Sequence, residues 1–255
     1  LSVMYIPFML FLGMLVFRAS AIKFRSAEPM KWWRDLWDFV YFFSNLMIAF
    51  LLGVVLGNII QGIPLDKDFV YKGGVFFSFL SPYAILTGVT TIALFMMHGA
   101  IFLLLKTEGK LHDKLSILLK QGIIFFIVTF SLLSIYTLVF IDNVTNRFKE
   151  HPVFFVLPVL ALLSIANIPR LVSKFKYFYA IIFSSLVMAL LLMMVAFQLF
   201  PTLFISTIAP EYSINIYNAA SSQKSLGIMI TIAAIGSPLI FLYFLFLYNT
   251  FKGKV

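Results

Sequence analysis

Asp38 is the residue that asks most of its surroundings. In RDLWDFVYFF it begins a run, FVYFFSNLMIAFLLGVVLGNIIQG, of two dozen residues without a charge. A carboxylate at the lip of so apolar a stretch can exchange a proton or hold a cation, and it stands there at a cost unless something balances it. Arg18 ends the preceding apolar run. Two antiparallel neighbours would bring these residues to one side of a membrane. Two readings follow. Arg18 and Asp38 form an ion pair, or Arg18 extends its head to the interface while Asp38 caps a helix N-terminus, where the dipole favours a carboxylate. Position alone leaves both open.

His98, in FMMHGAIFLLL, is the one histidine of three inside an apolar run; His112 and His151 fall in connections on opposite sides. A buried imidazole can relay protons or ligate a haem iron. No second histidine faces it for bis-imidazole ligation, so a hydrogen-bonded packing residue is the favoured reading. Asn58 and Gln61, in LGNIIQGIP, can meet a quinone carbonyl or a chain of waters. Helix termination between Gly57 and Gly62 is the plainer reading and the one adopted. The H-E-x-x-H, G-x-S-x-G and P-loop patterns are absent. So is cysteine, which excludes disulfides, thiolate metal sites and a Cys nucleophile. NVT at 143–145 fits a glycosylation acceptor, relevant only in a secretory system. These residues assemble no catalytic constellation and by themselves describe a structural or accessory membrane subunit.

What must position them is a set of membrane-crossing helices. The chain of 255 residues is 62% hydrophobic and 11% charged, with a mean hydropathy of +1.03. That is more apolar surface than a soluble domain of this length can cover. A helix needs about 20 residues to cross roughly 30 Å of hydrocarbon. Seven stretches qualify, at about 3–17, 38–60, 78–105, 115–141, 153–169, 177–200 and 225–250. The alternation of barrel strands is missing. The fold class is all-α, a polytopic helical membrane protein of about seven transmembrane helices, with one transmembrane domain over 1–255.

The net charge of +9 is a topology signal rather than a nucleic-acid footprint. Arg18, Lys23, Arg25, Lys31 and Arg34 follow the first span; Lys106, Lys110, Lys114 and Lys120 the third; Arg170, Lys174 and Lys176 the fifth; Lys252 and Lys254 the last. The alternate connections hold Lys67, Lys72, Arg147, Lys149 and Lys224, matched by as many acids. The positive-inside rule assigns the first set to the cytoplasm, so the N-terminus of this chain is expected outside and the C-terminus inside. The chain opens on Leu1 with no basic flank, does not read as a signal peptide, and is expected to lack upstream sequence.

Trp32, Trp33 and Trp37 suit an interfacial belt in which an apolar ring carries a wet N–H. Gly53, Gly57, Gly88 and Gly99 read as sites of close helix contact, and Pro158 and Pro238 as breaks that neighbours repair. The segment FPTLFISTIAPEYSINIYNAASSQKS is expected to lie at the outer interface or to fold back into the protein, with Ser221 or Ser222 capping the last helix.

Several of these segments, in order, resemble subunit II of the cytochrome bd quinol oxidases. They are FRASAIKFRSAEPMKWWRDLWD, LLGVVLGNIIQGIPL and LSPYAILTGVTTIALFMMHGAIFLLLKTEGKL, then FP at 200–201 and YNAASSQKSLGIM before the last span. The likeness runs from about residue 5 to 250 and is weakest at 140–175. Its specificity lies in the joint pattern of FRS, WD, GN-x-x-QG, HGA and KTEG, each weak alone. The resemblance implies two further N-terminal helices, bearing a Trp-Asp-Gly-Asn motif, ahead of this chain. It also implies a complex in a bacterial or archaeal cytoplasmic membrane. That complex oxidises quinol, reduces dioxygen to water and takes its protons from the cytoplasm.

Quinol oxidation and the haems b and d are then expected in a homologous haem-bearing subunit I, the main partner. This chain is expected to bind no cofactor directly, to leave room for a structural quinone or lipid, and to be inactive alone. Small accessory subunits and membrane lipid complete the implied partners. Arg18 and Asp38 match the family's charged pair, implied to belong to a proton path or to support the haem site. Asn58 and His98 are secondary polar sites, and His98 falls where the family has His or Gln, so the resemblance implies no ligand role. The 31 Phe can line a dry route for dioxygen, although lipid-facing packing is the favoured reading. The alternative is a membrane transporter subunit, which matching breaks in two halves would support; no such pair stands out. A membrane transferase would have only Asp35, Asp38, Glu108, His112 and Asp113 to work with, in no known motif.

Overall fold

The structure is a computed structural model and describes residues 2–68, 70–73, 79–141, 152–251 and 253. Residues 142–151, with the NVT tripeptide and His151, and also Lys252 and Lys254, lie outside the described residues. Seven helices long and apolar enough to cross a membrane run through the described residues. They are α1 (Ser2–Phe24), α2 (Lys31–Gln61), α3 (Pro82–Lys106), α4 (Gly109–Phe140), α5 (Val156–Ser173), α6 (Tyr177–Leu199) and α7 (Gln223–Thr250). A 3-10 turn, Pro152–Phe155, leads into α5. The all-α membrane architecture expected from composition is the one found.

Several helices outrun their apolar stretches: α4 begins at Gly109 and α5 ends at Ser173, and two others matter for Asp38. α1 continues past Arg18 to Phe24, and α2 begins at Lys31 rather than at Asp38. Asp38 therefore lies two turns inside α2 and caps nothing. The side-chain caps fall elsewhere. Ser81 accepts the Ala84 N–H at 3.1 Å, with Pro82 opening α3, and Ser222 accepts the Ser225 N–H at 3.3 Å at the start of α7. Each satisfies a donor that helix geometry leaves orphaned.

α3 is the hub, packed against α2, α4 and α6, while α1 lies along α2 and α5 along α6. Small residues let α2 and α3 meet almost backbone to backbone. A Cβ at Gly53 would stand 2.7 Å from the Gly88 Cα, and one at Gly57 2.8 Å from the Ala84 Cα. Gly53 and Gly57 have the four-residue spacing that stacks both on one face of a helix. Among the described residues Gly99 meets nothing within 4 Å, so the close approach expected there is not made within this chain. The largest core cluster, including Met97, Ile101, Leu104, Leu119, Phe126 and Ile168, fills the space between α3, α4, α5 and α6. α7 buries none of its residues.

Antiparallel neighbours place the ends of α1, α3 and α5 on one face, the basic one. On the opposite face, β1 (Thr202–Phe204) and β2 (Ile214–Asn215) form an antiparallel pair. The segment between α6 and α7 folds back and is clasped to the loop after α2. The Ile63 N–H donates to the Ile205 carbonyl at 2.8 Å and the Thr207 N–H to the Ile63 carbonyl at 3.1 Å. The Ser206 hydroxyl donates to the Leu65 carbonyl at 2.8 Å. Next to this clasp, Asp66 accepts the N–H groups of Val70 (2.9 Å) and Asp68 (3.0 Å) and pairs with Lys72 at 3.3 Å. Those contacts, the Val70 N–H foremost, hold its carboxyl below the usual aspartate range.

Candidate functional site

The partner of Asp38 is Arg25, not Arg18. Because α1 stays helical beyond its apolar run, Arg18 and Arg25 are two turns apart and it is Arg25 that reaches α2. Its Nε donates to one carboxylate oxygen of Asp38 at 2.5 Å and its Nη2 to the other at 3.1 Å. Such a two-point contact fixes orientation as well as distance. The hydrogen bond that Arg25 donates to Asp38, and the charge of that carboxylate, raise the Arg25 guanidinium above its ordinary value. Arg18 is exposed, and the geometry does not bring it to Asp38.

Aromatic rings build the setting. The Trp33 indole N–H donates to the Phe24 carbonyl at 2.7 Å and thereby ties the end of α1 to the start of α2. Phe24 stacks on Trp37, ring centroids 5.0 Å apart, and Trp37 meets Trp33 edge-on at 5.7 Å. The belt expected to hold wet indoles thus has one N–H spent on a helix end. Another, that of Trp37, is shut away from solvent and meets no acceptor among the described residues. Trp37 lines a cleft of about 360 Å³ with Ala21, Ile22, Ser26 and Tyr41 around the Arg25–Asp38 pair. Nothing in the spacing of Arg25 and Trp37 singled them out, because that requires knowing where α1 ends.

The other polar residues make hydrogen bonds within and between elements. The Asn58 amide donates to the Val54 carbonyl of its own helix at 2.8 Å and to the Phe79 carbonyl at 2.7 Å. Gln61 accepts the Ser81 hydroxyl at 2.6 Å. Together they fasten the end of α2 to the approach to α3, as the termination reading expects. His98 Nδ1 lies 2.8 Å from the Ser184 hydroxyl of α6, which itself donates to the Ile181 carbonyl at 3.0 Å. If that hydroxyl proton is spent on Ile181, Nδ1 carries the imidazole proton, a packing contact across α3 and α6. His98 stands alone in its span with one ring nitrogen engaged, and among the described residues no three His, Cys, Asp or Glu gather to hold a metal.

Comparison with known proteins gives this geometry its context. The family model described as cytochrome bd terminal oxidase subunit II matches residues 1–251. The chain is 26% identical to the cytochrome bd-I ubiquinol oxidase subunit 2 of Escherichia coli K12, over 98% of its own length and 74% of that protein's. It is 29% identical to the cytochrome bd ubiquinol oxidase subunit 2 of Bacillus subtilis, over its whole length and 74% of the relative's. The bd oxidase structure from Geobacillus thermodenitrificans shares the fold, with a TM-score of 0.72 at 17% identity over 98% of this chain and 74% of that one. With the family model matched over nearly its whole length, the chain belongs to the cytochrome bd terminal oxidase subunit II family.

Proposed function

We propose a specific part for this chain within the quinol:dioxygen oxidoreductase complex to which its family assigns it. It is the subunit without haem, it packs against the haem-bearing subunit I, and Asp38 with Arg25 lies on its proton-uptake route. The Arg25–Asp38 pair carries the proposal, its side chains 50% and 52% exposed at the rim of α1 and α2. Reducing dioxygen to water takes up one proton for each electron delivered. An oxidase embedded in a membrane therefore needs acids that water can reach at the boundary of the apolar spans. Asp38 is such an acid, and the guanidinium fixes its rotamer through two hydrogen bonds. The basic connections on the same face support this as the cytoplasmic, proton-supplying side, with the chain's N-terminus outside.

Haems b and d supply the redox chemistry of such a complex. In this reading they belong to subunit I, and the absence of a second histidine facing His98 in the sequence supports that assignment. The comparisons give the transporter alternative no support.

The test uses the complete oxidase carrying Asp38→Asn, Asp38→Glu or Arg25→Gln, with quinol-driven oxygen uptake and haem absorbance measured on the same preparations. Asp38→Asn is expected to slow turnover severalfold with haem per complex unchanged, and Asp38→Glu to keep most of the rate. Haem and activity falling in step would make the pair a support of the haem site instead. Undiminished turnover would remove it from the proton route.

A further inference from the structure

The stretch RLVSKFKYFY, residues 170–179, closes α5 and opens α6. The Lys176 N–H donates to the Leu171 carbonyl at 3.0 Å and the Phe175 N–H to the Val172 carbonyl at 3.0 Å. That pattern ends a helix on a left-handed residue, which is usually glycine. Here the left-handed residue is Phe175, at φ 56°, a conformation that costs a bulky side chain strain. Its ring buries little within the chain in return, being 75% exposed. Glycine would make the turn at lower cost, so the benefit of the phenyl ring lies outside this chain.

The surroundings indicate what it meets. Arg170, Lys174 and Lys176 are exposed beside it. Tyr177 lies edge-on to Phe175 at 6.4 Å and edge-on to His112 at 5.7 Å, which draws the start of α4, with Lys110 and Lys114, to the same place. Leu104, Leu115, Val172 and Tyr177 share one buried cluster, so four helix ends converge here. Against Lys106, Lys110, Lys114, Arg170, Lys174 and Lys176 stand only Glu108 and Asp113. The carbonyl ends of α3 and α5 absorb part of that positive charge, and an excess remains.

We propose that this corner binds the headgroup of an anionic phospholipid, with Phe175 inserted at the boundary between headgroups and acyl chains. An exposed aromatic ring flanked by cations, at the level where the spans end, suits a lipid phosphate with its chains below. A soluble anion would gain nothing from the ring. The inference does not depend on the role proposed for Asp38.

The complete complex, delipidated in mild detergent, is titrated with phosphatidylglycerol or phosphatidylcholine, and bound lipid is counted by native mass spectrometry. The wild type is expected to prefer phosphatidylglycerol. Lys174→Gln with Lys176→Gln should raise its dissociation constant about tenfold or more and leave phosphatidylcholine unchanged. The preference should shrink with salt as the screening length falls from about 10 Å at 0.1 M to about 3 Å at 1 M. Phe175→Gly should weaken phosphatidylglycerol severalfold while raising the thermal midpoint, a combination that a purely structural Phe175 would not give. Equal affinities across wild type and variants would overturn the proposal. So would displacement of the lipid by inorganic phosphate, or loss of a polypeptide from the lysine variant with lipid binding intact.

Discussion

Replacing Gly53 by Ala tests how closely α2 and α3 are held. The added Cβ would lie 2.4 Å from Thr91 Oγ1, 2.7 Å from the Gly88 Cα and 2.8 Å from the Thr87 carbonyl oxygen. Carbon atoms in contact prefer about 3.5–4.0 Å. Thr91 can rotate, but backbone atoms cannot, so α2 must withdraw from α3 by about 1 Å, which forfeits up to half of each packed contact. Overpacking of this kind costs about 1–3 kcal/mol, and backbone on both sides of the clash puts Gly53 in the upper part of that range, about 2–3 kcal/mol. Alanine also favours the helix over glycine by up to about 1 kcal/mol. Gly99→Ala in α3 makes the same exchange with nothing within 4 Å, so the difference between the two variants isolates the steric cost. For a domain of this size that difference corresponds to a thermal midpoint lower by about 4–12 °C for Gly53→Ala. Thermal unfolding of the purified complex in detergent, followed by intrinsic fluorescence, measures it. Midpoints within a degree of one another would refute the reasoning.

Two further outcomes follow from hydrogen bonds at the far ends of the spans. Asn58→Leu keeps the branched outline of the side chain but strands the Phe79 carbonyl, which now accepts from Asn58 at 2.7 Å; a loss of about 1–3 kcal/mol is expected, read as a lower midpoint and faster proteolysis between α2 and α3. Asp66 has its carboxyl held below its ordinary value of 3.8. Its contribution to the loop is complete above that value and is lost as pH falls through the lower folded one. Exchange protection of the Val70 amide should therefore hold at neutral pH and fade below about pH 4, and Asp66→Asn should abolish that acid dependence.

The membrane architecture was legible because hydrocarbon thickness imposes a length of apolar sequence, and composition showed seven such lengths. One helix start was legible from a capping side chain, at Ser222, whereas the Ser81 cap that opens α3 went unread. Elsewhere the apolar stretch and the helix part company. Lipid decides where hydrophobic residues stop, whereas backbone hydrogen bonds decide where a helix stops, and α1 runs on through Arg18 into an exposed, basic turn. That offset moved the partner of Asp38 seven residues along, from Arg18 to Arg25, and removed Asp38 from a capping position. The end of α2 near Gly62 was legible because a glycine beside polar residues stops a helix there. His98 reads from the sequence as a packing residue because no second histidine faces it, and its contact with Ser184 is compatible with that reading. The Arg25–Trp37 cleft was illegible for a different reason: it exists only once two helices of unknown length are set side by side.

The clasp on the face opposite the basic one has a consequence for biosynthesis. The Ser206 hydroxyl and the Leu65 carbonyl it meets are separated by 141 positions along the chain. At about 5–20 residues per second, some 7–28 s of translation separate the emergence of the two halves. Throughout that interval the Ile63 and Leu65 backbone groups of the loop after α2 are without the partners that the later segment supplies. Hairpin and loop lock together only after α6 has been inserted, which makes this joint a late closure that follows threading of the earlier spans. An arrest of synthesis before residue 206 would leave the first helices inserted with that closure unmade.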